Sequence, residues 1–241
     1  MLQKCKAIVL KTTKFSDNSI IVNCYTNLFG KISFIVNGVH SPKSKNKIAF
    51  FQPFNLLELE VYFKLTREVQ RIKDVQIGTQ LINLQSNIAK SSISFFLTEL
   101  MLKIFKEHEA NEQLYFFIEN SIKTLDLLID SKQISNFHLI FLIQLSKFIG
   151  FFPLQNFSPT NCFFDLQAGK FVESQTNSSH VLNPELSEIL AGFTSNAYQN
   201  KPEITRKQRT LLLENLILYY NLHLQSTFNI KSLAVLSEIF D

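Results

Sequence analysis

The hydrophobic pattern of this chain changes period at Gly78, and that switch limits the fold more than any other feature. Before it, short runs rich in Ile and Val occur at 6–11 and 20–25, and a third run, 31–36, follows Gly30. Residues 57–62 alternate polar and apolar, and 67–77 carries Val69, Ile72, Val75 and Ile77. Alternation at period two puts successive side chains on opposite faces of a strand. Five short strands in 78 residues can hide their edges by closing on themselves. The first 78 residues are therefore predicted to form a five-stranded OB-type barrel, a fold that often takes oligonucleotides.

Beyond Gly78 the apolar residues recur every three or four positions, as on an amphipathic helix. Helices are predicted over 88–105, 111–129 and 136–149, with Gly150 as a C-terminal cap and Pro153 beyond it. Asn183 and Pro184 open a helix over 184–190, Thr205 caps a long one reaching about Gln225, and 232–240 is a final amphipathic segment. Residues 154–180 are irregular apart from a short hairpin over 163–172, with a Gly at its turn. The expectation is an α+β chain, with an OB-fold β-barrel at 1–78 and a mainly α-helical domain at 79–241 that carries a short β-hairpin insertion. The helical part is long enough to hold its own core.

Charge divides at the same place. The net +4 is the sum of +7 over 1–78, from 12 Lys/Arg against 5 Asp/Glu, and −3 over 79–241, from 12 against 15. A basic module on a mildly acidic body points to a polyanion as partner. Its cations are Lys11, Lys14, Lys31, Lys43, Lys45, Lys47, Arg67, Arg71 and Lys73, on strands and loops of the barrel. Each cation set against a phosphate releases counterions, and single-strand binders of this fold add aromatic platforms. Phe15, Phe34, Phe50, Phe51, Tyr62 and Phe63 are the candidates. A second cluster, Arg206, Lys207 and Arg209, opens the long C-terminal helix, where the helix dipole also favours an anion. It marks a site for an acidic partner.

Other chemistry is excluded by what is missing. No phosphate-binding glycine loop and no G-x-S-x-G elbow occurs. Glu58 and Glu60 share one strand face and read as solvated. Three cysteines, Cys5, Cys24 and Cys162, make neither a disulfide framework nor a four-Cys zinc site, and five scattered histidines show no metal-ligand spacing. No catalytic residue, cofactor or metal site is expected. The most apolar stretch, 134–152, carries His138, Gln144 and Lys147, which suits a buried helix better than a membrane span. The N-terminal apolar run is too short for a signal-peptide core, and a reducing cytoplasm fits free thiols.

Several fragments then line up in order: Ala7-Ile8-Val9-Leu10-Lys11-Thr12, Phe15-Ser16-Asp17-Asn18-Ser19, Phe29-Gly30-Lys31-Ile32, Gly38-Val39, Ser41-Pro42-Lys43-Ser44 and Gln52-Pro53-Phe54. Gly150-Phe151-Phe152-Pro153 and Lys231-Ser232-Leu233 follow in the helical part. In this order they resemble the RecO family of bacterial recombination mediators. The resemblance implies no enzymatic turnover. It implies binding of single- and double-stranded DNA, strand annealing, and work with RecR and usually RecF to load recombinase on strands coated by single-stranded DNA-binding protein (SSB). It also implies that the helical domain takes the acidic C-terminal tail of SSB, in a cytoplasmic, nucleoid-associated protein. The alternative is an adaptor for acidic partner tails with only secondary DNA binding. One departure stands out: many relatives carry two C-x-x-C pairs after the Gly150 segment, whereas 154–180 here holds only Cys162. The hairpin is therefore expected to be metal-free and held by packing of Phe157, Phe163, Phe164 and Phe171.

Overall fold

A computed structural model describes residues 1–39, 47–174, 180–194 and 202–239. The chain divides into two compact units, 1–127 and 128–241.

The first unit opens with β1 (Leu2–Ser16), β2 (Ser19–Thr26), β3 (Gly30–Asn37), the short α1 (Lys47–Phe50), β4 (Leu56–Tyr62) and β5 (Val69–Thr79). They close into a barrel in the order β1-β2-β3-β5-β4, with β3 and β5 parallel and the other pairs antiparallel. This is the OB arrangement expected from the alternation. Every second residue points inward: Ala7 and Val9, then Ile20, Val22 and Cys24, then Ile32, Phe34 and Val36, then Leu57, Leu59 and Val61 fill one core with Phe51. Burial raises the thiol of Cys5 to about 12 and that of Cys24 further still, so both behave as small apolar side chains.

The unit does not stop where the strands do. It continues through α2 (Ile88–Ile104) and α3 (Glu112–Leu127). Gly30, with φ of +64°, is one reason: a Cβ there would lie 2.3 Å from the Glu109 carbonyl oxygen, so only glycine lets the chain after α2 approach the barrel. Asp126 supplies another tie, accepting hydrogen bonds from the main-chain N–H groups of Asn83 and Leu84 at 2.8 and 2.7 Å. Lys90, only 2% exposed, donates to the Asp126 carbonyl at 2.8 Å.

The second unit holds α4 (Ser131–Phe148), β6 (Phe163–Asp165), β7 (Lys170–Val172), β8 (Val181–Leu182), α5 (Pro184–Thr194), α6 (Arg206–His223) and α7 (Ser232–Ile239). α4 starts five residues before the apolar pattern predicts, because Asp130 caps it by accepting from Gln133 N–H at 2.8 Å. It ends as the sequence suggests. Gly150 takes φ of +92°, and Phe151 N–H reaches back to the Ser146 carbonyl at 3.0 Å, a Schellman closure. Asn183 caps α5, and Thr205 with Gln208 forms a capping box on α6. The hairpin is present as β6–β7, and β8 adds a third strand to it through Phe164↔Leu182.

A structural zinc does not fit that hairpin. Cys162 is the one thiol in 154–180, and no group of three or more His, Cys, Asp or Glu among the described residues is placed to hold an ion. Packing and amide hydrogen bonds shape it instead. Phe164 and Phe171 are buried, with ring centroids 4.8 Å apart, and Phe157 meets Phe171 edge-on at 5.3 Å. Phe163 is only half-buried. The Asn156 side chain donates to the Phe171 carbonyl at 2.8 Å and accepts from its N–H at 3.0 Å.

Among the described residues no helix is long and apolar enough to cross a membrane.

Candidate nucleic-acid interface

Strand register decides which cations share a surface. On the outside of the barrel, one row of partners runs Thr13↔Ile21↔Ile35↔Arg71↔Tyr62 across β1, β2, β3, β5 and β4. The next row runs Lys11↔Asn23↔Ser33↔Val69, with Asn23 donating to the Ser33 hydroxyl at 2.7 Å. Two connections bound this face at opposite ends of β3. The β1–β2 hairpin carries Lys14, Phe15 and Asp17; the β4–β5 turn carries Lys64, Leu65, Arg67 and Glu68, all exposed. Buried Gln70 holds the turn in shape, pairing with both main-chain groups of Lys64 at 2.9 and 2.8 Å and with the Arg67 carbonyl at 2.6 Å. These two connections and the β2–β3 surface are the places where OB folds bind oligonucleotides.

The opposite side of the barrel is charge-balanced. There Lys4 faces Glu60 and Lys6 faces Glu58 across β1 and β4, and Lys73 lies 2.9 Å from Glu60. That hydrogen bond raises the Lys73 ammonium above its usual value. On the β2–β3 side, Lys11, Lys64, Arg67 and Arg71 make no ion pair with another described residue, and only Lys14 does, with Asp17 at 3.1 Å. Positive potential therefore gathers on one face.

The candidate cations thus separate. Lys11, Lys14, Arg67 and Arg71 belong to that face, and Lys64 joins them; a lysine flanked by turn residues carried no signal before the turn's position was known. Lys73, two residues beyond Arg71 on β5, is instead held by Glu60. Lys31, on the outer side of β3, is covered by α2 and the segment after it: its side chain is 12% exposed, lies 3.3 Å from the Glu107 carboxylate and donates to the Leu102 carbonyl at 3.0 Å. Lys43 and Lys45 lie outside the described residues, as does the side chain of Lys47. Of the six aromatics, Phe34 and Phe51 are core, and Phe50 and Phe63 pack against it. Phe15 and Tyr62 remain open, at 61% and 48% exposure.

The second cluster separates too. Arg206 and Lys207 are exposed at the start of α6. Arg209 is half-buried, and its Nε donates to the Asn136 side chain at 2.9 Å. It lines a cavity of about 540 Å³ with Leu128, Ile140, Pro202 and Ile204. Desolvation lowers the guanidinium below its usual value, and no carboxylate among the described residues pairs with it. The capping residues of α4 and α6, Asp130 and Thr205, also line the cavity, so two helix N-termini open onto it. At its rim Lys132 and Glu203 pair at 2.6 Å.

Comparison with known proteins agrees in both halves. The family model "Recombination protein O N terminal" matches residues 1–80, and "Recombination protein O C terminal" matches residues 85–234. The chain is 37% identical to a DNA repair protein RecO from Azobacteroides pseudotrichonymphae genomovar. CFP2, with 100% of both chains covered. It is 36% identical to the DNA repair protein RecO of Flavobacterium psychrophilum over 98% of each, and 28% identical to that of Porphyromonas gingivalis over 100% of each.

Proposed function

The chain belongs to the RecO family, whose named relatives are DNA repair proteins, and on that premise we propose that it is a non-enzymatic DNA-binding recombination mediator. It binds single- and double-stranded DNA across the β2–β3 face of the barrel and anneals complementary strands. With RecR, and with RecF as a further partner, it helps load recombinase on SSB-coated single strands in the nucleoid of the cytoplasm. The observation that carries this reading is the charge asymmetry of the barrel: Lys11, Lys14, Lys64, Arg67 and Arg71 gather around the β2–β3 surface, whereas Lys4 and Lys6 stand across from Glu60 and Glu58 and Lys73 is paired with Glu60. Phosphates bind where cations have no internal partner, because each contact then releases counterions.

Annealing of complementary strands precoated with SSB, without ATP, tests the reading. Rate enhancement that falls steeply with salt is expected. No enhancement at low salt, or enhancement insensitive to salt, overturns it.

The Arg209 cavity favours a second role for the helical unit, as the seat of an acidic, Phe-terminated tail such as that of SSB. Apolar walls suit an aromatic side chain, and a desolvated guanidinium suits a carboxylate held bidentately. Titration with such a peptide is expected to show saturable binding that Arg209→Ala weakens more than tenfold, about 1.4 kcal/mol or more. Unchanged peptide affinity in that variant places the tail elsewhere.

A further inference from the structure

Two aromatic rings stand open on the face to which DNA binding is assigned, and the fold gives reasons for both. Phe15 sits at a register shift: Lys14 pairs with Ile20 and Ser16 with Ser19, leaving Phe15 unmatched at the hairpin tip. Such bulges re-aim a side chain, and this ring is 61% exposed. Tyr62 ends β4 and is partnered by Arg71 across β5. Of this residue, 48% is open.

These two rings stand near the two ends of one outer row, and Tyr62 also shares the outer side of β4 with Glu58 and Glu60. The β1–β2 hairpin lies beside Asn37 at one end of β3, and the β4–β5 turn enters beside Ser33. Phe15 is on β1 and Tyr62 on β4, so β2, β3 and β5 lie between the rings, roughly 19 Å along the sheet at ~4.8 Å per strand spacing. Between the rings the surface holds Ile21, Ile35, Asn23 and Ser33, all uncharged and partly buried. Cations stand beside the rings, Lys14 next to Phe15 and Arg71 opposite Tyr62.

We infer that Phe15 and Tyr62 are stacking platforms for unpaired bases, and that they make this face prefer single-stranded over duplex DNA. The inference rests on the DNA-binding reading above and deepens it. A duplex keeps its base faces stacked on one another and offers only phosphates to the cations. A single strand offers base faces as well, and each stacked base strengthens binding without regard to its identity.

The chain contains no Trp, so Phe15→Trp introduces a single indole reporter at the hairpin tip. Its emission is expected to be quenched by a poly-dT oligonucleotide and much less by a blunt duplex. Phe15→Ala and Tyr62→Ala are expected to weaken single-strand binding roughly ten- to a hundredfold and to lower the ratio of single-strand to duplex affinity. Phe15→Tyr and Tyr62→Phe keep a ring and retain the preference. Circular dichroism checks folding, which exposed positions tolerate. Single-strand affinity within about twofold of the unaltered protein in both Ala variants, with unmoved indole emission, overturns the inference. If the unaltered protein binds DNA with a salt slope that depends on Arg71 but not on the rings, this inference alone falls. If it binds no DNA, the reading beneath it falls as well.

Discussion

The Lys31 ammonium donates to the main-chain carbonyl of Leu102 at 3.0 Å, joining β3 to the last turn of α2. Carbonyls in a last helical turn lack intrahelical donors, and the dipole there favours a cation. Lys31 serves both needs, while Gly30 beside it admits the Glu109 backbone. The Phe29-Gly30-Lys31 fragment is thus explained by how the barrel meets its first helices. Lys31→Met is expected to cost about 1–3 kcal/mol of stability, read from the denaturant midpoint. The salt slope of DNA binding is expected to stay as it was; a slope reduced as much as by a surface cation would show that Lys31 also reaches phosphate.

Arg71 and Lys73 are two residues apart on β5 and predict opposite behaviour. Arg71 has no carboxylate partner among the described residues, whereas Lys73 is hydrogen-bonded to Glu60. Arg71→Ala, measured by fluorescence anisotropy across a salt series, is expected to reduce the log–log slope for single-stranded DNA by roughly 0.7. Lys73→Ala is expected to leave the slope nearly unchanged. Equal effects would remove the distinction between the two faces.

His138 makes the helical unit sensitive to acid. Burial, and then the nearby Arg209 charge, push its imidazole down to about 3. An unfolded chain titrates near 6.5. Between those values the unfolded state holds the extra proton, so stability rises with pH. It is full above about pH 6.5 and is lost as pH falls toward 3. From pH 7 to pH 5 the loss attributable to His138 is expected to be about 2 kcal/mol. Chemical denaturation of His138→Gln, compared with the unaltered protein over that range, should show a flatter profile; parallel profiles would refute the assignment.

The hairpin of the helical unit should not need metal. Its shape rests on Phe164, Phe171 and the two hydrogen bonds of Asn156. A chelator is expected to leave the thermal midpoint unchanged. Asn156→Ala strands the N–H and carbonyl of Phe171 and is expected to cost about 1–3 kcal/mol. A midpoint that falls with chelator and returns with zinc would contradict the packing account.

Local chemistry explains why much of the architecture was legible in advance. Alternation along β1–β5 follows from burying one face of each strand, and the caps at Gly150, Asn183 and Thr205 act within a few residues of themselves. The early start of α4 carries no periodic signal, because 131–135 lacks an apolar stripe, although Asp130 supplies a cap. The strand β8 leaves no trace in the pattern, because two residues carry no period.

The basic set was harder to read, for a physical reason. A lysine's sequence neighbours do not reveal what lies across a strand or returns from a distant helix. Lys31 meets a carbonyl 71 residues away, and Arg209 meets an amide 73 residues away. The amino-acid sequence by itself determined a closed barrel followed by helices, and a surplus of positive charge in the barrel. Tertiary structure decided where that surplus is usable, because a cation's availability depends on the partners that folding brings within hydrogen-bonding distance. It set Glu58 and Glu60 against Lys4, Lys6 and Lys73, covered Lys31 beneath α2, and left Arg71, Phe15 and Tyr62 open.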